Sequence, residues 1–235
     1  MTSFHYVNDT LFAEDVALTE IANTYGTPTY VYSRADIEAA YTSFEQAFAS
    51  HPHRVCYSVK ANSNLGVLNI LARLGAGFDI VSGGELQRVL RAGGDAAGVV
   101  FSGVGKTAAE LQMALQANIA CFNVESAAEL DTLQSIAVQL GRVAPISIRV
   151  NPDVDPGTHP IATGLKENKF GVSSDIAVEM YRRAATMDNI NIVGIDCHIG
   201  SQITELSPLT DALAEVLQLV DDLERDGITL NHIDL

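Results

Sequence analysis

The chain is poor in basic residues and in cysteine. Its 235 residues hold 14 Lys+Arg against 29 Asp+Glu, a formal net charge of −15, with no basic run. That balance excludes the positive footprint of a nucleic-acid binder or of a protein held on an anionic membrane. Nowhere does an apolar run approach the ~18 residues of a transmembrane helix. Residues 1–15 lack a basic segment followed by an apolar one, so no secretory signal is expected. The three cysteines, Cys56, Cys121 and Cys197, stand apart in apolar runs, without a CxxC pair or a Cys/His cluster. Such isolated thiols argue against a disulfide framework and a structural zinc. They are expected to be small buried hydrophobes in a protein of the reducing cytoplasm, and no metal site is expected.

What is present is a globular mixture, 47% hydrophobic and 18% charged, long enough for one large domain or two small ones. Short β-branched or apolar runs alternate with segments rich in Ala, Leu and Glu. The strand candidates are 54–59, 77–81, 98–102, 119–124, 145–151, 192–199 and 231–235. Helical patterns lie near 35–50, 64–74, 84–92, 106–117, 126–140, 174–187 and 207–226. This alternation predicts a parallel sheet covered by helices, and the nearly continuous apolar runs match burial on both faces. Ser126 with Glu129 and Ser33 with Asp36 have N-terminal capping spacing, and Gly75, Gly93, Gly141 and Gly227 fall where a left-handed residue ends a helix. A regular βα repeat with seven strand candidates predicts a (β/α)8 barrel. A doubly wound open sheet is the alternative, though no GxGxxG follows the first strand. Two intervals depart from the rhythm: a Pro/Gly/charged connection over 152–173, and the first thirty or so residues, where 27–32 reads as an extended segment of a separate β element.

Chemistry in a βα barrel gathers at the carboxyl ends of the strands. Lys60, in phase with Cys56 and Ser58, is expected to point into the barrel, where desolvation makes a lysine a Schiff-base amine. The alternative is a surface lysine at a strand end. His198 is either a packed core residue or a site residue, and is followed by Gly200-Ser201, a small turn able to hold a phosphate. Arg149, in phase with Ser147 and Asn151, is an inward charge that needs a partner or an anionic ligand. Asp79 and Glu85 are candidates for that partner, or for orienting Lys60; Glu85 can equally serve its own helix N-terminus. An inward amine, an inward guanidinium, a histidine and a phosphate turn together fit pyridoxal 5′-phosphate.

The same residues carry a resemblance. Tyr57-Ser58-Val59-Lys60-Ala61-Asn62 resembles the Schiff-base lysine motif of the fold-type III pyridoxal-phosphate decarboxylases. Residues 78–85 (FDIVSGGE), Arg149-Val150-Asn151-Pro152, Lys169-Phe170-Gly171 and His198-Ile199-Gly200-Ser201-Gln202 follow in that family's order. The last motif, with Gly157-Thr158-His159-Pro160, is similar to the diaminopimelate-specific branch. The resemblance implies a cytoplasmic homodimer, each subunit a (β/α)8 barrel with a mostly β second domain, to which residues 1–33 contribute while 34–235 form the barrel. It implies that Lys60 attaches the cofactor, His198 stacks on its ring, Gly200 and Ser201 meet its phosphate, and Asp79, Glu85 and Arg149 surround it. The implied reaction is loss of CO2 from meso-2,6-diaminopimelate to give L-lysine, the last step of lysine biosynthesis. Related decarboxylases of ornithine, arginine or carboxynorspermidine, and a non-catalytic cofactor-binding barrel, are the alternatives. The family's glycine-rich phosphate loop, Glu-Pro-Gly-Arg strand and Cys-Glu segment do not occur up to Leu235. The chain is therefore expected to be the amino-terminal part of a longer enzyme, a barrel of about seven strands that is poorly stable and inactive alone.

Overall fold

A computed structural model describes residues 3–154 and 170–235. The chain opens with an antiparallel meander of β1 (Phe4–Val7), β2 (Thr10–Ala13) and β3 (Val16–Ala17). Asn8 and Asp9 join β1 to β2 with φ of 47° and 62°. Positive φ at both central residues is the hairpin turn that Asn and Asp tolerate best. Helices α1 (Leu18–Tyr25) and α2 (Arg34–Ala47) follow. The β element of the N-terminal region is thus built from residues 4–17. Residues 27–32, read above as its extended segment, carry no strand pairing.

From there the βα alternation is regular. In order come β4 (Cys56–Ser58), α3 (Leu65–Leu74), β5 (Gly77–Ile80), α4 (Gly83–Arg91), β6 (Val99–Phe101), α5 (Ala108–Ala117) and β7 (Cys121–Val124). Then follow α6 (Ala127–Leu140), β8 (Ala144–Asn151), the two-residue β9 (Val172–Ser173), α7 (Ser174–Ala184), β10 (Ile190–Asp196), α8 (Ser207–Arg225) and β11 (His232–Asp234). The sheet order is β4-β5-β6-β7-β8-β10-β11, every neighbouring pair parallel, with β9 paired to the carboxyl end of β8. Seven strands stand side by side in chain order, whereas a doubly wound sheet reverses direction at a switch point. The sheet also curls. Asn123 Nδ2 on β7 lies 2.9 Å from Asp234 Oδ2 on β11. Those strands are three places apart, about 14 Å in a flat sheet.

The outer face of the arc carries the apolar core. Phe78, Phe101, Phe122, Ile146 and Ile148 are fully buried against helix residues such as Leu86, Leu111 and Leu130. The helix termini are written locally. Gly75, Gly93, Gly141 and Gly227 have φ of 88°, 87°, 60° and 81°, as expected past a helix end. Ser33 Oγ accepts from Asp36 N at 3.0 Å and Ser126 Oγ from Glu129 N at 3.2 Å. Among the described helices, α5 has the full reciprocal box, between Thr107 and Glu110. Two glutamates turn elsewhere: Glu85 accepts from Val81 N at 2.7 Å and Glu129 from Glu125 N at 3.1 Å, so each ties its helix to the strand before it. No described helix is long and apolar enough to cross a membrane.

Candidate functional site

The inner face of the arc is polar where the outer one is apolar. On β7 the alternate residues Cys121, Asn123 and Glu125 turn inward, as do Ser147, Arg149 and Asn151 on β8, and all six are buried. Ser58 and Ser102 donate to the two oxygens of Asp79 at 3.2 and 2.7 Å. Asn123 Nδ2 donates to Ser102 Oγ at 3.2 Å and to Asp234, while its Oδ1 accepts from Ser147. One hydrogen-bonded chain therefore runs round the arc from β4 to β11. It fills space that a barrel of this kind ordinarily packs with branched aliphatic side chains.

Asp196 on β10 and Asp234 on β11 stand in register beside one another, and Asp196 is also in register with Arg149. Burial pushes the Asp196 carboxyl well above its usual range and the Asp234 charge raises it further; Arg149 opposes both. Asp234 is raised mainly by burial, against its hydrogen bond from Asn123. The partner of Arg149 is not Asp79 or Glu85. Arg149 Nη1 lies 3.3 Å from Glu125 Oε1, its Nε 3.9 Å from Asp196 Oδ2, and the guanidinium covers the Phe170 ring at 5.4 Å. Asp79 is occupied by hydroxyls of its neighbouring strands, and the Glu85 carboxylate accepts from Val81 N. That bond ties Glu85 to the end of β5, beside the mouth of the arc where the resemblance places it.

Lys60 also differs from the phase argument. Strand β4 ends at Ser58, and Val59–Ala61 form a 3₁₀ turn that buries Val59 in the core and leaves Lys60 exposed at the rim. Tyr57 closes that turn by donating to Asn62 O at 3.3 Å. Among the described residues, no hydrogen bond or ion pair engages the Lys60 amine. Half-buried His198 follows β10; burial lowers its pKa, and the positive charges of Arg149 and Lys60 lower it further against Asp79 and Glu125. Burial and the two cations thus favour the uncharged imidazole at the carboxyl end of β10. Gly200, with φ of 154°, and exposed Ser201 continue from His198 into the same loop. Gly157, Thr158, His159, Pro160 and Lys169 lie outside the described residues.

Cys121 and Cys197 are buried as the sequence predicts, whereas Cys56 is half-buried at the open edge strand. Burial is the first cause pushing each of Cys56, Cys121 and Cys197 up to about 12, so none is a nucleophile near neutral pH. Among the described residues no cluster fit for a metal occurs. The residues that sequence reasoning gave no role are Glu125, Asn123, Asp196, Asp234 and Lys106. Alternation could have found the first two, in phase with Cys121. Lys106 has no such signal: its buried ammonium donates to Gly103 O, Asn123 O and Glu129 Oε1 at 2.7–2.8 Å and ties the loop after β6 to α6.

A pyridoxal phosphate needs an accessible amine for its aldehyde, a flat neutral neighbour for its ring, and donors for its anionic groups. Lys60 and His198 match the first two needs. The buried Arg149 Nε, a charged donor with no hydrogen-bond acceptor among the described residues, is the kind of atom an anionic ligand would satisfy. The residues present fit the cofactor.

Comparison with known proteins agrees. Diaminopimelate decarboxylase of Pseudomonas aeruginosa is 61% identical over 236 residues, which is 100% of this chain and 57% of that protein. The enzyme of Haemophilus influenzae is 56% identical over the same shares. The crystal structure of diaminopimelate decarboxylase from M. jannaschii superposes with a TM-score of 0.93 at 38% identity, covering 99% of this chain and 56% of that one. The chain thus spans a little over half the length of the relatives it matches. The family described as "pyridoxal-dependent decarboxylase, pyridoxal binding domain" matches residues 34–235. With the site at the strand ends and the match over the whole βα arc, the chain belongs to the pyridoxal-dependent decarboxylase family.

Proposed function

We propose that this chain is the cofactor-holding part of a diaminopimelate decarboxylase, releasing CO2 from meso-diaminopimelate to give L-lysine. The observation that carries this reading is 61% identity along the whole chain to a protein of that name. A Helicobacter pylori relative, 45% identical, is described in complex with L-lysine, the product the reading requires. Residues 34–235 form the barrel domain, and the separate antiparallel sheet of residues 4–17 supports assigning residues 1–33 to a β domain.

The roles follow from the geometry of the chain's own groups. Lys60 presents a solvent-accessible amine on a turn pinned by Val59 and Tyr57, so it can attach the cofactor and yield its place to a substrate amine. His198, its pKa lowered by burial and by the charges of Arg149 and Lys60, offers a flat face to the cofactor ring. Arg149 presents a positive charge to an anionic ligand, and Gly200 and Ser201 supply an amide and a hydroxyl for a phosphate. Asp79 is fixed by two serine hydroxyls on its neighbouring strands. When bound, pyridoxal phosphate supplies the electron sink that accepts the charge left as CO2 departs.

The test uses the full reading frame loaded with pyridoxal phosphate and reduced with borohydride. Peptide mapping is expected to find the label on Lys60; label elsewhere removes the site assignment. CO2 release from meso-diaminopimelate is expected to exceed release from L-ornithine, and the reverse order overturns the substrate.

A further inference from the structure

Glu125 is 1% exposed in its side chain, yet it meets three separate segments at the rim of the arc. Its Oε1 accepts from Gly103 N, in the loop after β6, at 2.6 Å and from Arg149 Nη1 on β8 at 3.3 Å. Its Oε2 accepts from Gly171 N, just before β9, at 3.1 Å. Gly171 has φ of 72°, and a Cβ there would lie 2.9 Å from Arg149 O and 3.0 Å from Asn151 Oδ1. The backbone of this segment therefore comes close to β8 at the residue whose side chain Glu125 also holds, and the next residue back, Phe170, lies under the guanidinium. The alternative carboxyl partner, Asp196, is farther away at 3.9 Å and is drawn toward its neutral form by burial and by Asp234. Arg149 is thus held at Nη1 and against Phe170, with Nε left without a hydrogen-bond acceptor among the described residues.

We propose that Glu125 is a positioning residue of the cofactor site: it aims the Arg149 guanidinium, and docks the Gly171 segment beneath it, so that the free Nε faces the bound anion. The proposal rests on the cofactor reading above, and it concerns how the arginine is oriented, not which residues touch the cofactor. A carboxylate that accepts from a guanidinium and two amides at once has no isosteric replacement, because an amide brings a donor to one of those three places.

The experiment uses the full-length holoenzyme with Glu125→Gln, Glu125→Asp, Arg149→Ala and the double variant Glu125→Gln/Arg149→Ala. It measures the pyridoxal-phosphate dissociation constant, the absorption band of the bound cofactor, amide exchange at Gly171 in the cofactor-free protein, and thermal midpoints. Glu125→Gln is expected to weaken cofactor binding about tenfold, the scale of a hydrogen bond to a charged group, to shift the band and to speed exchange at Gly171. Glu125→Asp, which keeps the charge but shortens its reach, is expected to fall between parent and Gln. With Arg149 already removed, Glu125→Gln is expected to cost nothing further in affinity. Losses that multiply in the double variant, or an unchanged dissociation constant in Glu125→Gln, overturn the proposal. So does a cofactor-free Glu125 variant that fails to fold in both forms, since the role would then be architectural. Failure of the parent enzyme to bind pyridoxal phosphate at all would instead overturn the cofactor reading.

Discussion

The two faces of β7 and β8 are made from the same short stretches of chain and have opposite chemistry. Toward the helices stand Phe122, Val124, Ile146, Ile148 and Val150, all buried in one apolar cluster. Toward the axis of the arc stand Cys121, Asn123, Glu125, Ser147, Arg149 and Asn151, equally buried and almost all hydrogen-bonded to one another. The comparison separates two uses of burial. On the outer face burial removes apolar surface from water and holds the arc together. On the inner face it removes water from charges, which makes each unmatched donor or acceptor consequential and so prepares a site for an ionic ligand.

The sharpest separation should come from Lys60, exposed on the 3₁₀ turn at the rim of the arc. Lys60→Ala in the full-length enzyme is expected to abolish borohydride trapping and to lower CO2 release by about 10³-fold or more, the scale lost when a covalent participant is removed. The thermal midpoint of the cofactor-free protein should not move. The converse is Phe122→Ala, on the outer face and stacked 6.3 Å from Phe101. It is expected to cost about 3–5 kcal/mol in chemical denaturation, while the folded fraction still attaches cofactor at Lys60. An intact melting curve for Phe122→Ala, or an unfolded Lys60→Ala, would break the division.

The smallest effect tests the charge load of the inner face. Asp196 and Asp234 both titrate above the ordinary 3.8 when folded. Above that pH the folded chain therefore binds more protons than the unfolded one, and their contribution to stability is lost as pH rises through the raised values. Asp234→Asn keeps an acceptor for Asn123 and removes one of the two charges. Its midpoint is expected to exceed the parent's by about 2–4 °C near pH 8 and to converge with it near pH 4. A difference that is constant with pH would mean that the pair carries no shared charge problem.

Much of this was legible in the chain. Five of the seven strands of the arc fall wholly within the runs 54–59 to 231–235, and the other two overrun them only at their starts, by Ala144 on β8 and by Ile190 and Asn191 on β10. Both-face burial writes that continuous apolar signal. The glycines at 75, 93, 141 and 227 end helices because a left-handed residue is a local requirement. The motif around Lys60 identified the family because it is contiguous. Other features were not legible. Lys60 was placed by strand alternation, but β4 stops two residues short of it and a 3₁₀ turn presents it instead. Arg149 was known to need a partner, yet Glu125 is 24 residues away and nothing local distinguishes it from Asp79 or Glu85. Asn123 reaches Asp234 across 111 residues of chain, a pairing that exists only once the sheet has curled.

Sequence alone determined the alternation of strands and helices, the burial of Cys121 and Cys197 and the candidates Lys60, Arg149 and His198, since each depends on residue type and spacing. Tertiary structure alone decided which carboxylate faces which cation. Closing the sheet into an arc brings inner-face residues of distant strands within hydrogen-bond reach, and in that interior desolvation and the neighbouring charge raise Asp196 and Asp234 together.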